Sequence, residues 1–515
     1  DFRLPTSDFR LPTSDFRPPI LDRAIIDASP PERPSMSDPQ TLLDASLIAA
    51  LFHVVISPIA ALHAMMFKRD SRAAFGWIAL CLLLPIAGPV LYTLLGINRI
   101  QRRARRLELP GLRVGFERGR ARSAERHAPP GLEESLRPLE LIGARLSVHE
   151  LANGNAVLPL HDGDQAYPAM LEAIKSARRS VFLSTYIFDA DATGQAFIEA
   201  LDAACRRGVD VRVVIDGIGQ FYSTPRAHKL LGRAGVRSAL FLPPRLLPPR
   251  LSLNLRNHHK VLVVDGHTAF TGGLNIGQRH VLGSKPGRNA VADMHFRLAG
   301  PVALQLETHF LRTWEFITGR QEAPSPVSPC PRGTLPCRAL SDGPDEDLDQ
   351  ITRLLGATIA EARHSILVMT PYFLPPRELV GALQAASLRG VKVTLVLPEK
   401  NNLPYVHWAT RNMLWELLYQ NIEVYYQPPP FAHTKLFVVD DRYALIGSSN
   451  WDSRSLRLNF ELQVEVFGAA FAKEMGNMIQ RAAAGGRRVT LDEVDGRSLP
   501  ARLRDSFCWL FSPYL

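Results

Sequence analysis

At 515 residues, and with roughly 150 residues per folding unit as a prior, the chain has material for about three units and is too long for a single small binding module. Its 46% apolar content and mean hydropathy of -0.03 exclude a disordered polycation, although 60 Lys and Arg against 50 Asp and Glu leave a formal charge of +10. Such an excess points to an anionic partner, nucleic acid or a membrane surface, and the position of the charge decides between them.

Residues 1–40 contain DFRLPTS twice and then DFRPP, with several prolines and no hydrophobic period, so this segment is read as disordered. The first methionine, Met36, precedes a hydrophobic run and is the expected start of the product. From Ala45 to Phe67 the sequence is almost wholly apolar, and from Ala73 to Gly96 it carries no charge. Each run is long enough for a membrane span of about 20 residues, and Trp77 and Tyr92 are placed as interfacial anchors. A signal peptide fits poorly, since a second equally apolar run follows at once. Residues 41–98 are therefore expected to form a two-helix transmembrane hairpin.

A basic juxtamembrane linker, 99–150, follows. Between Arg99 and Arg126 there are ten Arg and three Glu, a local +7, which leaves about +3 (10 minus 7) for everything else. An arginine belt beside a span marks the cytoplasmic face and binds anionic lipid. Nucleic acid is not the expected partner, because the charge is not spread over the folded part.

Two segments of the remaining chain repeat one order of elements. In the first, a helical period leads to SVFLSTYIF (Ser180 to Phe188) and then to a helix ending in CRRGVDVRVVID; in the second, it leads to SILVMTPYF (Ser365 to Phe373) and then to LRGVKVTLVLP. These are β-α-β repeats, and they imply a sheet covered by helices. Residues 151–320 and 346–515 are expected to be two similar domains, the second ending in the apolar tail CWLFSPYL. The Pro-rich stretch 321–345 reads as a linker. Five scattered cysteines form no disulfide framework, and the close pair Cys330 and Cys337 lacks partners at zinc spacing.

Each repeat carries the same constellation. His258, Lys260, Asp265 and Asn275 have the same spacing as His433, Lys435, Asp440 and Asn450, with Lys two, Asp seven and Asn seventeen residues after His. On a strand, residues two apart share a face, so each His and Lys project together and two copies can converge. Two imidazoles, two ammonium groups and two amides suit a tetrahedral phosphoryl group. One His can attack phosphorus while the other protonates the leaving alkoxide and then activates the incoming hydroxyl, with the lysines supplying the positive potential. No metal and no cofactor is called for. A neutral, oriented imidazole asks for a carboxylate on its other nitrogen, and Asp293 and Glu461, which follow the two motifs on strand-like segments, are the candidates. Where Gly273 stands in one copy Ser448 stands in the other, and its hydroxyl is a candidate phosphate contact beside Asn275 and Asn450.

These paired H-x-K-x4-D motifs resemble the phospholipase D superfamily over residues 155 to 515. The apolar N-terminal runs, RNHHK, GGLN, TPYF, HTK, GSSNWDSRSLRLNFE and the terminal FSPYL resemble bacterial cardiolipin synthases. The resemblance implies an α/β fold of two tandem phospholipase D-like α-β-α sandwich domains in pseudo-two-fold arrangement. It implies phosphatidyl transfer between two phosphatidylglycerol molecules through a phosphohistidine, giving cardiolipin and glycerol at the bacterial inner membrane. By analogy His258 is the nucleophile and His433 the acid/base, while Asp265 and Asp440 hold structure more than they do chemistry. The residues leave open a phospholipase D or another phosphatidyltransferase, and they leave the oligomeric state open.

Overall fold

The computed structural model describes residues 50–68, 71–84, 86–96, 131–244, 255–283, 287, 289–320, 322, 324, 326–343, 349–513 and 515. The DFRLPTS segment, Met36 and the arginine belt lie outside these residues. The chain divides at residue 98 into two compact units.

The first unit contains the helices Ser57–Phe67, Ser71–Leu83 and Ala87–Leu91, with π-helical turns at Phe52–Ile56 and Tyr92–Gly96. Ala61, Ala64, Cys81 and Tyr92 form its small core, and His63 Nδ1 lies 2.7 Å from the Tyr92 hydroxyl. Among the described residues no helix is long and apolar enough to cross a membrane. This corrects the expectation of two continuous spans. Pro58 stands in the first turn of Ser57–Phe67, where its missing amide is tolerated, and the residues before it form the π-helical turn Phe52–Ile56, so the α-helix of the first run is only 11 residues long. The second run stops at Leu83 and resumes at Ala87 around prolines 85 and 89, which supply no amide to a continuing helix.

The second unit is built on one 15-stranded sheet. Its first half contributes β1 (Ala152–His161), β2 (Ser180–Thr185), β3 (Asp210–Asp216), β4 (Arg237–Phe241), β5 (Val261–Val264), β6 (Thr268–Gly272) and β8 (Met294–Ala299), with the short β7 (Val291–Ala292) outside the sheet. The second half contributes β9 (Leu335–Asp342), β10 (Ser365–Met369), β12 (Lys392–Pro398), β13 (Glu423–Gln427), β15 (Leu436–Val439), β16 (Tyr443–Gly447), β18 (Glu461–Phe467) and the edge strand β19 (Arg487–Arg488). The two-residue strands β11 (Phe373–Leu374), β14 (Phe431–Ala432) and β17 (Trp451–Asp452) lie apart from it.

From edge to centre the first half runs β4-β3-β2-β5-β6-β8-β1, and the second runs β13-β12-β10-β15-β16-β18-β9 with β19 added outside. The duplication read from the sequence is thus a duplication of topology, and the halves join where β1 and β9 pair antiparallel. Strands such as VLVV (261–264) and LFVV (436–439) are buried on both faces, as a central strand between helical layers requires. Helices 162–176, 192–206 and 227–233, and their counterparts 350–361, 377–388 and 404–418, cover one face. Helices 302–318 and 469–484 cover the other, around a core shared by both halves that includes Val263, Phe296, Val438 and Phe471. Gly208 and Gly390, at φ 84° and 87°, end equivalent helices in the left-handed conformation that permits the tight return to β3 and β12.

Two expected linkers contain ordered elements. The stretch 321–345 includes β9, the central strand of the sheet, whose Cys337 is fully buried while Cys330 is exposed. Proline density concealed it, because Pro336 is the second residue of the strand and four prolines precede it between residues 324 and 331. Within 99–150 lies the helix Arg137–Leu146, which packs Leu139 onto the second-half core. There the Arg338 guanidinium donates to Glu465 (2.6 Å) and to the Glu140 carbonyl (3.1 Å), fastening the helix to β9.

Candidate active site

The motif strands start at the same point of each half, and the local reasons are readable. Before β5, the buried Asp216 accepts from the amides of Ile218 (2.8 Å), Gly219 (3.0 Å) and Asn257 (2.9 Å) and pairs with the buried Arg256 (3.2 Å), while Asn257 donates to Ser184 (2.9 Å). Arg256 and Asn257 therefore fix the backbone from which His258 and Lys260 project. Before β15, β14 pairs with β7 of the other half, and the His433 amide donates to the Ala292 carbonyl at 2.7 Å. Likewise the His258 amide donates to the Phe460 carbonyl at 2.9 Å.

Each histidine is thus laid against the other half, and each takes its carboxylate from there. His258 Nδ1 lies 2.9 Å from Glu461, and His433 Nδ1 lies 2.7 Å from Asp293. The sequence supplied both acids but not the crossing. A nitrogen held this way carries its proton toward the carboxylate and leaves Nε2 as the reacting nitrogen, which in His433 lies 3.1 Å from Lys435 Nζ.

The environment of the two carboxylates differs where Gly273 and Ser448 differ. Ser448 is fully buried and donates to Glu461 Oε2 at 2.5 Å, with Asn459 donating to Oε1 at 3.3 Å. Its hydroxyl is therefore committed to Glu461, which corrects the expectation that it contacts phosphate. In the other half a Cβ on Gly273 would fall against both carboxylate oxygens of Asp293, so the glycine makes room for that acid.

Asn450 donates to Ser455 at 3.0 Å while its Oδ1 is buried with no partner among the described residues. Asn275 Oδ1 accepts from the Ile187 amide at 3.1 Å. Asp265 accepts from the amides of Arg178, Arg179 and Ser180 (2.7–3.0 Å at the closest oxygen), and Asp440 from those of Arg363, His364 and Ser365 (2.7–2.8 Å). Both pin the starts of β2 and β10 and do not join the histidine–lysine cluster.

Lys260 donates to the His258 carbonyl (3.0 Å) and Lys435 to the His433 carbonyl (2.5 Å), with Lys435 Nζ also 2.9 Å from His433 Nδ1. Burial pushes Lys260 down to about 7 and Lys435 to about 8. Burial, followed by the two ammonium charges, holds both imidazoles well below the ordinary histidine range, and the charge of Lys435 reaches His258 as that of Lys260 reaches His433. The two motifs therefore share one site of buried positive charge. Burial raises Glu461 to about 7 and raises Asp293. Sequence reasoning missed Tyr186 and Tyr372, which stand one position out of step in the two repeats, six residues after Ser180 and seven after Ser365, and whose rings lie 5.4 Å from His258 and 6.1 Å from His433. Their signal was an aromatic just past each of the strands β2 and β10.

The family profile described as cardiolipin synthase, PLD-like domain, matches residues 170–314 and 355–482, one match on each half of the site. The chain belongs to the cardiolipin synthase, PLD-like domain family. A second profile, phospholipase D-nuclease N-terminal, matches residues 47–96. The major cardiolipin synthase of Bacillus subtilis is 30% identical over 481 residues, covering 92% of this chain and 99% of that protein. Cardiolipin synthase A of Pseudomonas entomophila is 29% identical, covering 91% and 98%. Among solved structures, phosphatidylserine synthase of Haemophilus influenzae superposes with a TM-score of 0.57 at 15% identity over 74% of this chain and all of that one, a likeness of fold. In this family member, both profile matches bracket an H-x-K motif, so the duplicated half-site spans both copies of the family domain.

Proposed function

We propose that the chain is a phosphatidyltransferase that forms cardiolipin and glycerol from two phosphatidylglycerol molecules. The observation that carries this reading is the crossed pairing of two neutral imidazoles with carboxylates around two buried lysines, in a chain of the cardiolipin synthase family. The phosphodiester sits against Lys260 and Lys435, with the amides of Asn275 and Asn450 facing its oxygens. Its negative charge offsets the ammonium charges and favours a proton on His433. His258 Nε2 attacks phosphorus, the bond to the glycerol oxygen breaks, and His433 gives that oxygen its proton. The glycerol leaves, and the hydroxyl of a second phosphatidylglycerol loses its proton to His433 as its oxygen attacks phosphorus. The phosphorus–nitrogen bond breaks and His258 returns neutral. Glu461 and Asp293 orient the rings and stabilise the positive charge that each acquires.

The N-terminal unit is read as the membrane-resident part, at the bacterial inner membrane. What supports this is its exposed apolar surface, including Val54, Met66, Phe75 and Leu83. The arginine belt favours the cytoplasmic side for the site.

Purified protein given phosphatidylglycerol in detergent, without added divalent ion, is expected to release cardiolipin and glycerol in equal amounts; phosphatidic acid as the sole product would overturn the transferase reading in favour of hydrolysis. With an activated leaving group that needs no acid, the His433→Ala variant is expected to stall as a phosphorylated protein, with the label on His258 by mass spectrometry. Label elsewhere would reverse the assignment.

A further inference from the structure

The helix Leu499–Trp509 displays an apolar stripe to the outside. Leu499, Leu503, Phe507 and Leu510 are 62–68% exposed and Phe511 is 48% exposed, at the i, i+4, i+8, i+11 and i+12 positions of one helical face. The rings of Phe507 and Phe511 lie 5.3 Å apart. The opposite face is fastened. Asp505, fully buried, accepts from Arg411 (2.7 Å), Arg504 (2.8 Å) and Arg497, while Cys508 and Trp509 pack on the second-half core. The helix cannot roll its stripe inward without parting the buried Asp505 from Arg411 of the helix Pro404–Leu418.

The surroundings have the composition of a bilayer interface. From Arg497 to Leu515 there are three arginines and one acid, a net +2. On the neighbouring helix Pro404–Leu418 and its end, Tyr405, Trp415 and Tyr419 are exposed, Arg504 lies 4.4 Å over Trp408, and Arg377 lies 5.9 Å from Trp509. Apolar residues flanked by amphipathic aromatics and cations match the depth profile of a headgroup region.

The stripe is tied to the candidate active site at two points. The Leu515 carbonyl accepts from the Arg454 amide (3.2 Å), and the charge of Arg454 acts on His258. Ahead of Pro404–Leu418, Asn402 accepts from the hydroxyl of Tyr372 (2.7 Å), whose ring faces His433.

We propose that the helix Leu499–Trp509 and the turn to Phe511 lie in the plane of an anionic leaflet and seat the mouth of the active site on lipid. This rests on the phospholipid reading only for the purpose of the seat; the contact itself is read from the stripe and its charge. A second copy of the chain covering the stripe is the competing occupant, and +2 on each face disfavours that pairing.

The test uses the full chain reconstituted in phosphatidylglycerol vesicles doped with a phospholipid bearing a photoactivated diazirine in its acyl chain, with adducts located by mass spectrometry. Adducts on residues 499–511 are expected, with those on residues 50–96 as the internal reference. In parallel, the Leu503→Glu/Phe507→Glu variant is expected to melt as the parent does, to raise the apparent KM on vesicles about tenfold, and to leave turnover of dispersed short-chain substrate unchanged. Reference adducts without adducts on 499–511, or an unchanged KM, would overturn the seat. A variant that instead loses a dimer would assign the stripe to a second copy. Adducts on 499–511 together with phosphatidic acid as product would sink the transferase and keep the seat.

Discussion

Glu461→Gln tests the crossed site at its most exacting point. The amide keeps the shape of the side chain, and its oxygen can still accept from Ser448 and from His258 Nδ1. The new NH2 group would face the Asn459 amide nitrogen at 3.3 Å, but Asn459 can turn to offer its oxygen, which is unpartnered among the described residues. Tautomer and ring orientation should survive, and what disappears is the charge. A charge-assisted bond exceeds a neutral one by about 1–2 kcal/mol, and the Coulomb attraction of a cationic ring at about 4 Å is roughly 4 kcal/mol at an effective dielectric of 20, part of it offset by desolvation. A loss of roughly 2–3 kcal/mol follows, or about 30- to 150-fold. Because the ring becomes cationic only as the phosphorus–nitrogen bond forms, the loss should fall on kcat and leave KM nearly unchanged. Glu461 itself titrates near 7, so the parent should lose kcat as pH falls through about 7, and the variant should lack that limb. Initial rates of cardiolipin and glycerol formation across pH measure both. A kcat within threefold of the parent, or an acid limb that persists, would refute the role given to this carboxylate.

Gly273→Ala should act on His433 without touching it, since the added methyl displaces Asp293; at least a tenfold fall in kcat with an unchanged melting temperature is expected, a charge-assisted bond to the ring being worth roughly 1.5–3 kcal/mol, and unaltered rates would dismiss the packing explanation. With Lys260 near 7 and Lys435 near 8, the ammonium charges vanish as pH rises, so KM should climb between pH 7 and 9; a flat KM over that interval would remove the lysines as the main phosphate contacts. Asp505→Asn leaves three arginines with no acid and should cost about 3–5 kcal/mol, readable as a melting temperature lower by roughly 3–6 °C in calorimetry for a unit of this size; a shift under about 1 °C would show that solvent supports those cations unaided.

The pattern of residues by itself sets the two-fold plan. An identical spacing of His, Lys, Asp and Asn, each copy preceded by a β-α-β unit with an alternating or continuous β-branched run, can be satisfied only by two like halves, and strand periodicity places each His and Lys on one face. Those are local facts, so a single sequence can hold them. The acids were legible as types, Asp293 and Glu461, because both head strands that follow the motifs.

Which acid serves which histidine is not local. Residues 258 and 461, or 293 and 433, meet only because the halves join through β1 and β9 and exchange strand contacts through β7 and β14 and through Asn257 with Phe460. Ser448 reads as a hydroxyl near phosphate until its complete burial against Glu461 is seen, and Gly273 reads as an omission until Asp293 is found in the space it leaves. The central strand β9 hid behind prolines, because its pairing partners lie in distant parts of the chain. Composition and spacing thus determined that there are two half-sites and what chemistry they hold; tertiary structure alone decided how they are crossed, since hydrogen bonds between residues more than a hundred apart leave no period in a sequence.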